Sequence, residues 1–419
     1  MKIVVLNAGS GSLRCSLFEL DAPPPPGMPQ EPVWEVALDS TAPGQPAGRL
    51  RLKLRQRGEE SDAGFLDASL DPGARVARIL PRLWNQPGAP LRGPGDIDVV
   101  GHRIVHGGGQ FDRAIRIDRS VEETIARCAA FAPLHNPAGL AAVVAVRELC
   151  GLQVPQVAVC DTAFHHTLPE PAAVYPGPYA WREQGLRRYG FHGTNFRWVA
   201  ERAAHLLGRP GDPELRLVLC HLGGGCSLCA TRGGRSLDTT MGLTPLDGIA
   251  MSTRPGALDP GLMLQLQRQA VDADELEKVL NRDSGLKGLS GISGDTRVLQ
   301  PLAKAGNARA QLALDVFVHR LRAGIGQMLA ALHGAPTAIV FTDAIAEDEP
   351  ELRAAACVPF AFLGLHLDPE RNAHAVPDTE LTTPDSPVKA LLIQSREAWQ
   401  IARECHALLS SPTHHPATA

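Results

Sequence analysis

The sequence predicts an α/β protein made of two halves of similar plan with a cleft between them. A polar, glycine-rich turn sits between two apolar strand-like runs near residues 7–12, and again near 221–226. Each opening is followed by strands alternating with helical patterns. The chain has 419 residues, enough for two or more domains with their own cores.

Lys2 to Leu6 reads as a strand, Asn7 to Ser12 as a polar turn, and Leu13 to Leu20 as the returning strand. Ala22 to Pro29 carries four consecutive prolines, which cannot pair in a sheet centre and predict a surface loop. From there to about Gly95 the pattern specifies little. Ile97 to His106 is an apolar strand that ends in Gly107-Gly108-Gly109. Ser120 opens a helix with Glu123 at capping-box spacing and with Val121, Ile125, Cys128 and Ala129 on one side. A helix over Pro137–Leu149 leads to a buried-type strand, Gln156–Cys160, and near Asp161 the plan restarts. Thr194 or Asn195 caps a helix running to Gly208. Leu215–Leu222 and Cys226–Thr231 are strands joined by Gly223-Gly224-Gly225, and Arg232 to Arg235 is the next tight turn. A long amphipathic helix runs from about Ala308 to His333 and stops at Gly334. Ala338–Thr342 is a strand, and the last helix begins near Arg396. Residues 411–419 are expected to be a disordered tail.

Lys plus Arg (41) against Asp plus Glu (45) leaves a net charge of −4, which argues against a broad basic face for nucleic acid. No apolar run approaches the roughly 18–20 residues of a membrane-spanning helix. The N-terminal residues read as a strand, without a signal peptide's apolar region and small-residue cleavage site. A cytoplasmic protein with no membrane partner is expected. Nine scattered cysteines are not a secreted disulfide framework, and reduced thiols are expected. Cys226-x-x-Cys229 is half a zinc motif with no second pair, and on a strand its thiols would face opposite sides.

The two polar turns expose backbone N–H groups and hydroxyls that suit phosphate oxygens, although one such turn alone reads more readily as an ordinary hairpin tip. Arg103 lies inside the apolar strand Gly101-His102-Arg103-Ile104-Val105-His106. A buried arginine calls for an anion, either a structural carboxylate or a bound carboxylate or phosphate. Arg254, in Met251-Ser252-Thr253-Arg254-Pro255-Gly256, repeats the situation in a loop of small residues. Two arginines so placed fit stabilisation of a transferring phosphoryl group.

Asn7-x-Gly-Ser-x-Ser, Gly101-His-Arg-x-Val-His-Gly-Gly, Pro133-Leu-His-Asn-Pro, Asp161-Thr-Ala-Phe-His, Tyr189-Gly-Phe-His-Gly, His221-Leu-Gly, Asp238-Thr-Thr-Met-Gly-Leu-Thr-Pro and Thr253-Arg-x-Gly-x-Leu-Asp-Pro occur in this order along nearly the whole chain. Together they resemble the acetate kinase family. The resemblance implies two duplicated ribonuclease-H-like domains of the actin-like ATPase fold with a central active-site cleft. The domains would be residues 1–161, with a C-terminal helix at about 397–410 packing back, and a nucleotide-binding domain at 162–396. It implies a homodimer and Mg²⁺-dependent phosphoryl transfer between ATP and acetate, Mn²⁺ being an alternative ion. Carried over by position, Asn7 and Glu397 lie near the metal. Ser10, Ser12 and Arg14 face the ATP phosphates. Arg103 binds acetate or acetyl phosphate, with Val105, Leu134, Phe191 and Pro245 around the methyl group. Asp161 is the acidic active-site residue, and His192 and Arg254 stabilise the transferring phosphoryl. His221, Leu222, Gly223, Gly224, Gly225, Asp295, Thr296, Arg297, Ala344, Ile345, Ala346, Glu347 and Asp348 line the nucleotide. A kinase for propionate or another short acid, and a non-catalytic nucleotide-binding protein of this fold, are the rival readings.

The departures from the family pattern cluster on the nucleotide side. Arg14 stands where the family has Lys, and Gly224 where it has Asn. Phe341-Thr342-Asp343-Ala344-Ile345-Ala346-Glu347-Asp348 replaces Phe-Thr-Ala-Gly-Ile-Gly-Glu-Asn, and Glu397 is the one carboxylate kept from Thr-x-Glu-Glu. Were the loop to need positive φ or close backbone approach at 344 or 346, a Cβ there would cost about 1 kcal/mol or more.

Overall fold

The computed structural model describes residues 1–9, 12–39, 48–56 and 58–410. The chain forms two compact units, one from Met1–Ala163 together with the segment starting at Arg396, the other from Phe164–Ser395.

The first unit contains β1 (Lys2–Ala8), β2 (Leu13–Glu19), β3 (Trp34–Asp39), β4 (Arg49–Gln56), β5 (Glu59–Asp67), β6 (Val99–Ile104), β7 (Ile115–Arg116) and β8 (Gln156–Cys160). They form one sheet in the order β5-β4-β3-β2-β1-β6-β8-β7. Ile3, Val4, Val5 and Leu6 are all buried, as expected of a central strand covered on both faces. β1 pairs antiparallel with β2 and parallel with β6, and β6 pairs parallel with β8. The register sets Asn7 opposite Arg14. The helix Asn136–Cys150 and the C-terminal helix Glu397–Ser410 both pack against β1 and β6.

The second unit contains β9 (Arg216–Leu222), β10 (Cys226–Arg232), β11 (Arg235–Thr239), β12 (Ala338–Thr342), β13 (Thr379–Glu380) and β14 (Lys389–Ile393), ordered β11-β10-β9-β12-β14-β13. β9 pairs antiparallel with β10 and parallel with β12, which pairs parallel with β14. The sheet of the first unit is therefore repeated in the second: an antiparallel hairpin extended by two parallel strands, the ribonuclease-H-like plan. In such sheets ligands gather at the carboxyl ends of the parallel strands. Asn7, Arg103 and Asp161 mark those ends on β1, β6 and β8, and His221 and Asp343 mark them on β9 and β12.

Several local expectations need correction. The helix Arg119–Arg127 is capped by Asp118, whose Oδ1 accepts from the Val121 N–H at 2.9 Å, so Ser120 lies inside the first turn. The helix over 193–206 is entered through His192, not through a Thr194 or Asn195 cap. The long helix spans Ala308–Ala331, and His333 beyond it turns away at φ 51°. The stretch before Gly95 holds three strands, β3 to β5, and the helix Pro72–Ile79. In β4 the buried Leu50 and Leu52 alternate with Arg49, Arg51 and Lys53 at the two-residue period of a one-sided strand. Cys226 and Cys229 lie three apart on β10, both buried, and burial pushes the Cys226 thiol up to about 12. No helix among the described residues is long and apolar enough to cross a membrane. Ser10 and residues 411–419 lie outside the described residues.

Candidate active site

In the first unit the strand ends gather one cation and two carboxylates. Arg103, near the end of β6, donates from Nε and Nη2 to the two oxygens of Asp161, at 3.2 and 2.7 Å. Asp161 follows β8 directly and is wholly buried. A bidentate fork of this kind fixes the plane of the guanidinium. Arg103 Nη1 lies 3.4 Å from Asn7 Oδ1 and 3.5 Å from Glu397 Oε2, and Asn7 Nδ2 donates to that carboxylate oxygen at 3.1 Å. With Arg103, Asp161 and Glu397 ionised, this set carries a net negative charge.

No group of three or more His, Cys, Asp or Glu among the described residues is placed to hold a metal ion by itself. Asn7 Oδ1 and Glu397 Oε2 nevertheless converge on one nitrogen, within reach of a single cation. An amide and a carboxylate oxygen suit Mg²⁺, which keeps much of its shell for water and substrate phosphates. The donor set fits that ion.

In the second unit two imidazoles and a guanidinium gather around the glycine turn after β9. His192 enters its helix in the left-handed region, φ 57° and ψ 20°, a conformation that costs an L-residue about 1–2 kcal/mol. Its ring stacks on His221, centroids 4.0 Å apart and planes 18° apart. His192 Nδ1 is 2.8 Å from Ser227 Oγ on β10. His221 Nδ1 is 2.8 Å from Asn195 Nδ2, and its Nε2 is 3.2 Å from Asp343 Oδ2. Arg254 Nη1 donates to the Pro245 carbonyl at 2.7 Å, and among the described residues no carboxylate pairs with it. Burial lowers its pKa, the mark of a desolvated cation.

Gly225 is required by close approach. A Cβ there would lie 2.6 Å from Arg254 Nη2 and 3.2 Å from His192 Nε2, so both groups point into the space that glycine leaves. At Gly223 a Cβ would meet Asp343 Oδ2 at 1.9 Å. At Gly224 it would meet nothing within 4 Å, so the Asn of the family pattern is lost without a steric reason.

The nucleotide-side residues fall in three places. Ser12 and Arg14 belong to the β1–β2 hairpin, where the Ser12 carbonyl accepts from Gly9 N–H at 2.8 Å and the exposed Arg14 lies 3.9 Å from Glu35. Asp295 caps the helix Thr296–Lys304 through Arg297 N–H at 2.9 Å, and Arg297 reaches Asp348 at 3.9 Å. Ala344 to Asp348 form a short helix, in which Ile345 and Ala346 are buried and Glu347 accepts from Ser395 N–H at 3.3 Å. Ala344 and Ala346 have no positive φ, so backbone strain of that kind does not arise there. It falls instead on Asp343, at φ 75° and ψ 171°, a region that is essentially glycine's and costs about 1–3 kcal/mol. Leu222 is a core residue, so only its backbone is presented at the turn. Phe191 is fully buried and its carbonyl lies 3.0 Å from His165 Nε2, while Val105, Leu134 and Pro245 are half-buried.

Sequence reasoning passed over Asn195, Ser227 and Asp343. The spacing of Asn195 from His192, three residues on one helix, was the available signal for the first. For Asp343 the signal was its departure from the family's Ala at the start of the loop, whereas Ser227 had none, because its partner is remote in sequence.

Two ribonuclease-H-like sheets, with cations gathered at glycine-rich strand ends, define a kinase of the actin-like ATPase fold. The profile of the acetokinase family matches residues 2–403, and the chain belongs to that family. An acetate kinase of Gloeobacter violaceus is 47% identical over 409 residues, 97% of this chain and 98% of that protein. The crystal structure of Porphyromonas gingivalis acetate kinase matches with a TM-score of 0.84 at 33% identity, covering 98% of this chain and 100% of that one. A propionate kinase from Francisella tularensis matches with a TM-score of 0.84 at 30% identity, covering 96% and 98%.

Proposed function

We propose that this chain is an acetate kinase that transfers the γ-phosphoryl group of ATP, reversibly and in line, to the carboxylate of acetate. The observation that carries this reading is Arg254: a half-buried, desolvated guanidinium with a carbonyl but, among the described residues, no carboxylate partner, converging with His192 on the gap above Gly225. A desolvated cation in that condition is a receptor for an anion.

Acetate needs little activation. Its acid has a pKa of roughly 4–5, like a glutamate side chain, so the nucleophile is already ionised at neutral pH. The obstacle is repulsion between acetate and the phosphates. Arg103 would hold the carboxylate, and Asp161, engaged with both ends of the Arg103 fork, acts by orienting that guanidinium. Acetate oxygen bonds to the γ-phosphorus as the bond to the bridging oxygen breaks and ADP leaves. Arg254 Nη2 and His192 Nε2 would offset the charge spread over the transferring group. Asn7 and Glu397 would hold Mg²⁺, which supplies charge neutralisation for the donor phosphates. The net negative charge of the Arg103–Asp161–Glu397 set supports that need. The two units would serve as the substrate and nucleotide domains, and the family resemblance supports a cytoplasmic homodimer, which sedimentation at micromolar concentration tests.

A hydroxylamine trap for acyl phosphate, run with Mg²⁺-ATP and acetate, propionate or butyrate, tests the reading. Hydroxamate from acetate with the highest kcat/KM is expected. Higher kcat/KM with propionate would make the chain a propionate kinase, a reading kept by the similarity to one and by the ~1–3 kcal/mol that a methylene is worth. No hydroxamate from any acid would leave nucleotide binding alone.

A further inference from the structure

Asp343 stands outside the residues that the family resemblance assigns, yet it is joined to the same stack. Its Oδ2 lies 3.2 Å from His221 Nε2 while the other ring nitrogen of His221 receives Asn195 Nδ2 at 2.8 Å. An ionised carboxylate can only accept, so the His221 Nε2 beside Asp343 carries the proton, and Nδ1 is the nitrogen left to face the Asn195 amide. The His221 ring then lies flat against His192, 4.0 Å between centroids. His192 is tied at Nδ1 to Ser227, which leaves its Nε2 edge directed at Gly225 beside Arg254. The carboxylate also presses on the glycine turn, since only the missing Cβ of Gly223 admits Asp343 Oδ2.

We propose that Asp343 is a positioning residue for phosphoryl transfer: its carboxylate locks the tautomer and plane of His221 and, through the stacked rings, the orientation of His192. The same carboxylate puts a negative charge against the turn that would receive the donor phosphates. Asp343 thus improves the geometry of the transfer while weakening the grip on a polyanionic donor. This rests on the kinase reading above, and the two effects can be separated because one needs a hydrogen-bond acceptor and the other a charge.

The test compares wild type with Asp343→Ala and Asp343→Asn. In the hydroxamate assay, D343A should lose about 10-fold in kcat, in the range of lost outer-layer partners, while its KM for ATP falls about 2-fold or more and KM for acetate stays put. D343N keeps an acceptor oxygen for the Nε2 proton, so it should recover most of the lost kcat yet keep the low KM for ATP. Long-range ¹H–¹⁵N spectra of ¹⁵N-histidine protein, with His221 assigned by its absence in His221→Asn, should show the Nε2–H tautomer in wild type and D343N and a mixture in D343A. That spectrum requires no turnover. An unchanged His221 tautomer in D343A, or kinetic constants all within 2-fold of wild type, overturns the proposal. A wild type that forms no acyl phosphate removes the kinase reading, and the tautomer result then decides the Asp343–His221 link alone.

Discussion

Replacing Arg254 by Met separates catalysis from stability. Methionine keeps most of the length of the side chain and removes the charge. The lost hydrogen bond to the Pro245 carbonyl, 2.7 Å long, is charge-assisted and stabilises by about 1.5–3 kcal/mol. Against that, the half-buried guanidinium has no carboxylate partner among the described residues, and its desolvation works against folding. The two terms nearly offset, so the folding stability of R254M should lie within about 1 kcal/mol of wild type. Catalysis should respond very differently. Loss of a single preorganised donor to a developing anion lowers kcat about 10²–10³-fold, equivalent to roughly 2.7–4 kcal/mol, and loss of a full cation at a transferring phosphoryl sits at or above that. The assay is acetyl hydroxamate formation under saturating ATP and acetate, paired with urea unfolding followed by far-UV circular dichroism. A kcat within 5-fold of wild type would refute the assignment of Arg254 to the phosphoryl group. So would a stability loss above about 3 kcal/mol, the range for removing one partner of a buried pair, because it would make Arg254 a structural cation.

Arg103→Met should behave in the opposite way: it strands the wholly buried Asp161 carboxylate, so urea unfolding should show a loss of about 3–5 kcal/mol, part of it recovered in R103M/D161N. Gly225→Ala adds a Cβ 2.6 Å from Arg254 Nη2 without any positive-φ strain, so kcat should fall about 10-fold or more with little change in thermal midpoint, and by more than in Gly224→Ala, whose Cβ meets nothing. Burial, with Asp343 and Asp348 adding to it, raises the pKa of Glu347 above its ordinary 4.5. The folded state therefore holds this proton more tightly than the unfolded chain. Its contribution to stability is fully present below 4.5 and is lost as pH rises through the folded value. Glu347→Gln should remove that decline, leaving the variant more stable than wild type at pH 7 in unfolding titrations run across pH.

The strand–turn–strand openings at 7–12 and 221–226 and the apolar strands around them were legible because they are local. A continuous apolar run bounded by glycine and serine has few other ways to satisfy its backbone. Arg103 was legible for a related reason, a permanent charge inside an apolar strand being too costly to carry without a partner. Which partner it takes was not. Asp161 is 58 residues away, and the Asn7–Glu397 hydrogen bond spans 390 residues. Such meetings depend on sheet order, on the parallel pairing of β6 with β8 and on the packing of the C-terminal helix against β1. β3 to β5 were missed although β4 alternates Leu with Arg and Lys, since the neighbouring prolines and glycines drowned a short period-two signal.

On the nucleotide side, sequence comparison pointed at the right segment for a partly wrong reason. The alanines at 344 and 346 looked costly, yet both sit in ordinary helical backbone and the glycine-like conformation belongs to Asp343. The sequence by itself determined which elements form and where cations need anions, because periodicity, turn chemistry and desolvation act on each segment separately. Only the tertiary structure decided that His192 stacks on His221, that Asp343 reaches the same ring and that Arg254 is left with a carbonyl. Those arrangements depend on the angles and separations at which distant segments are packed, and no single segment contains that information.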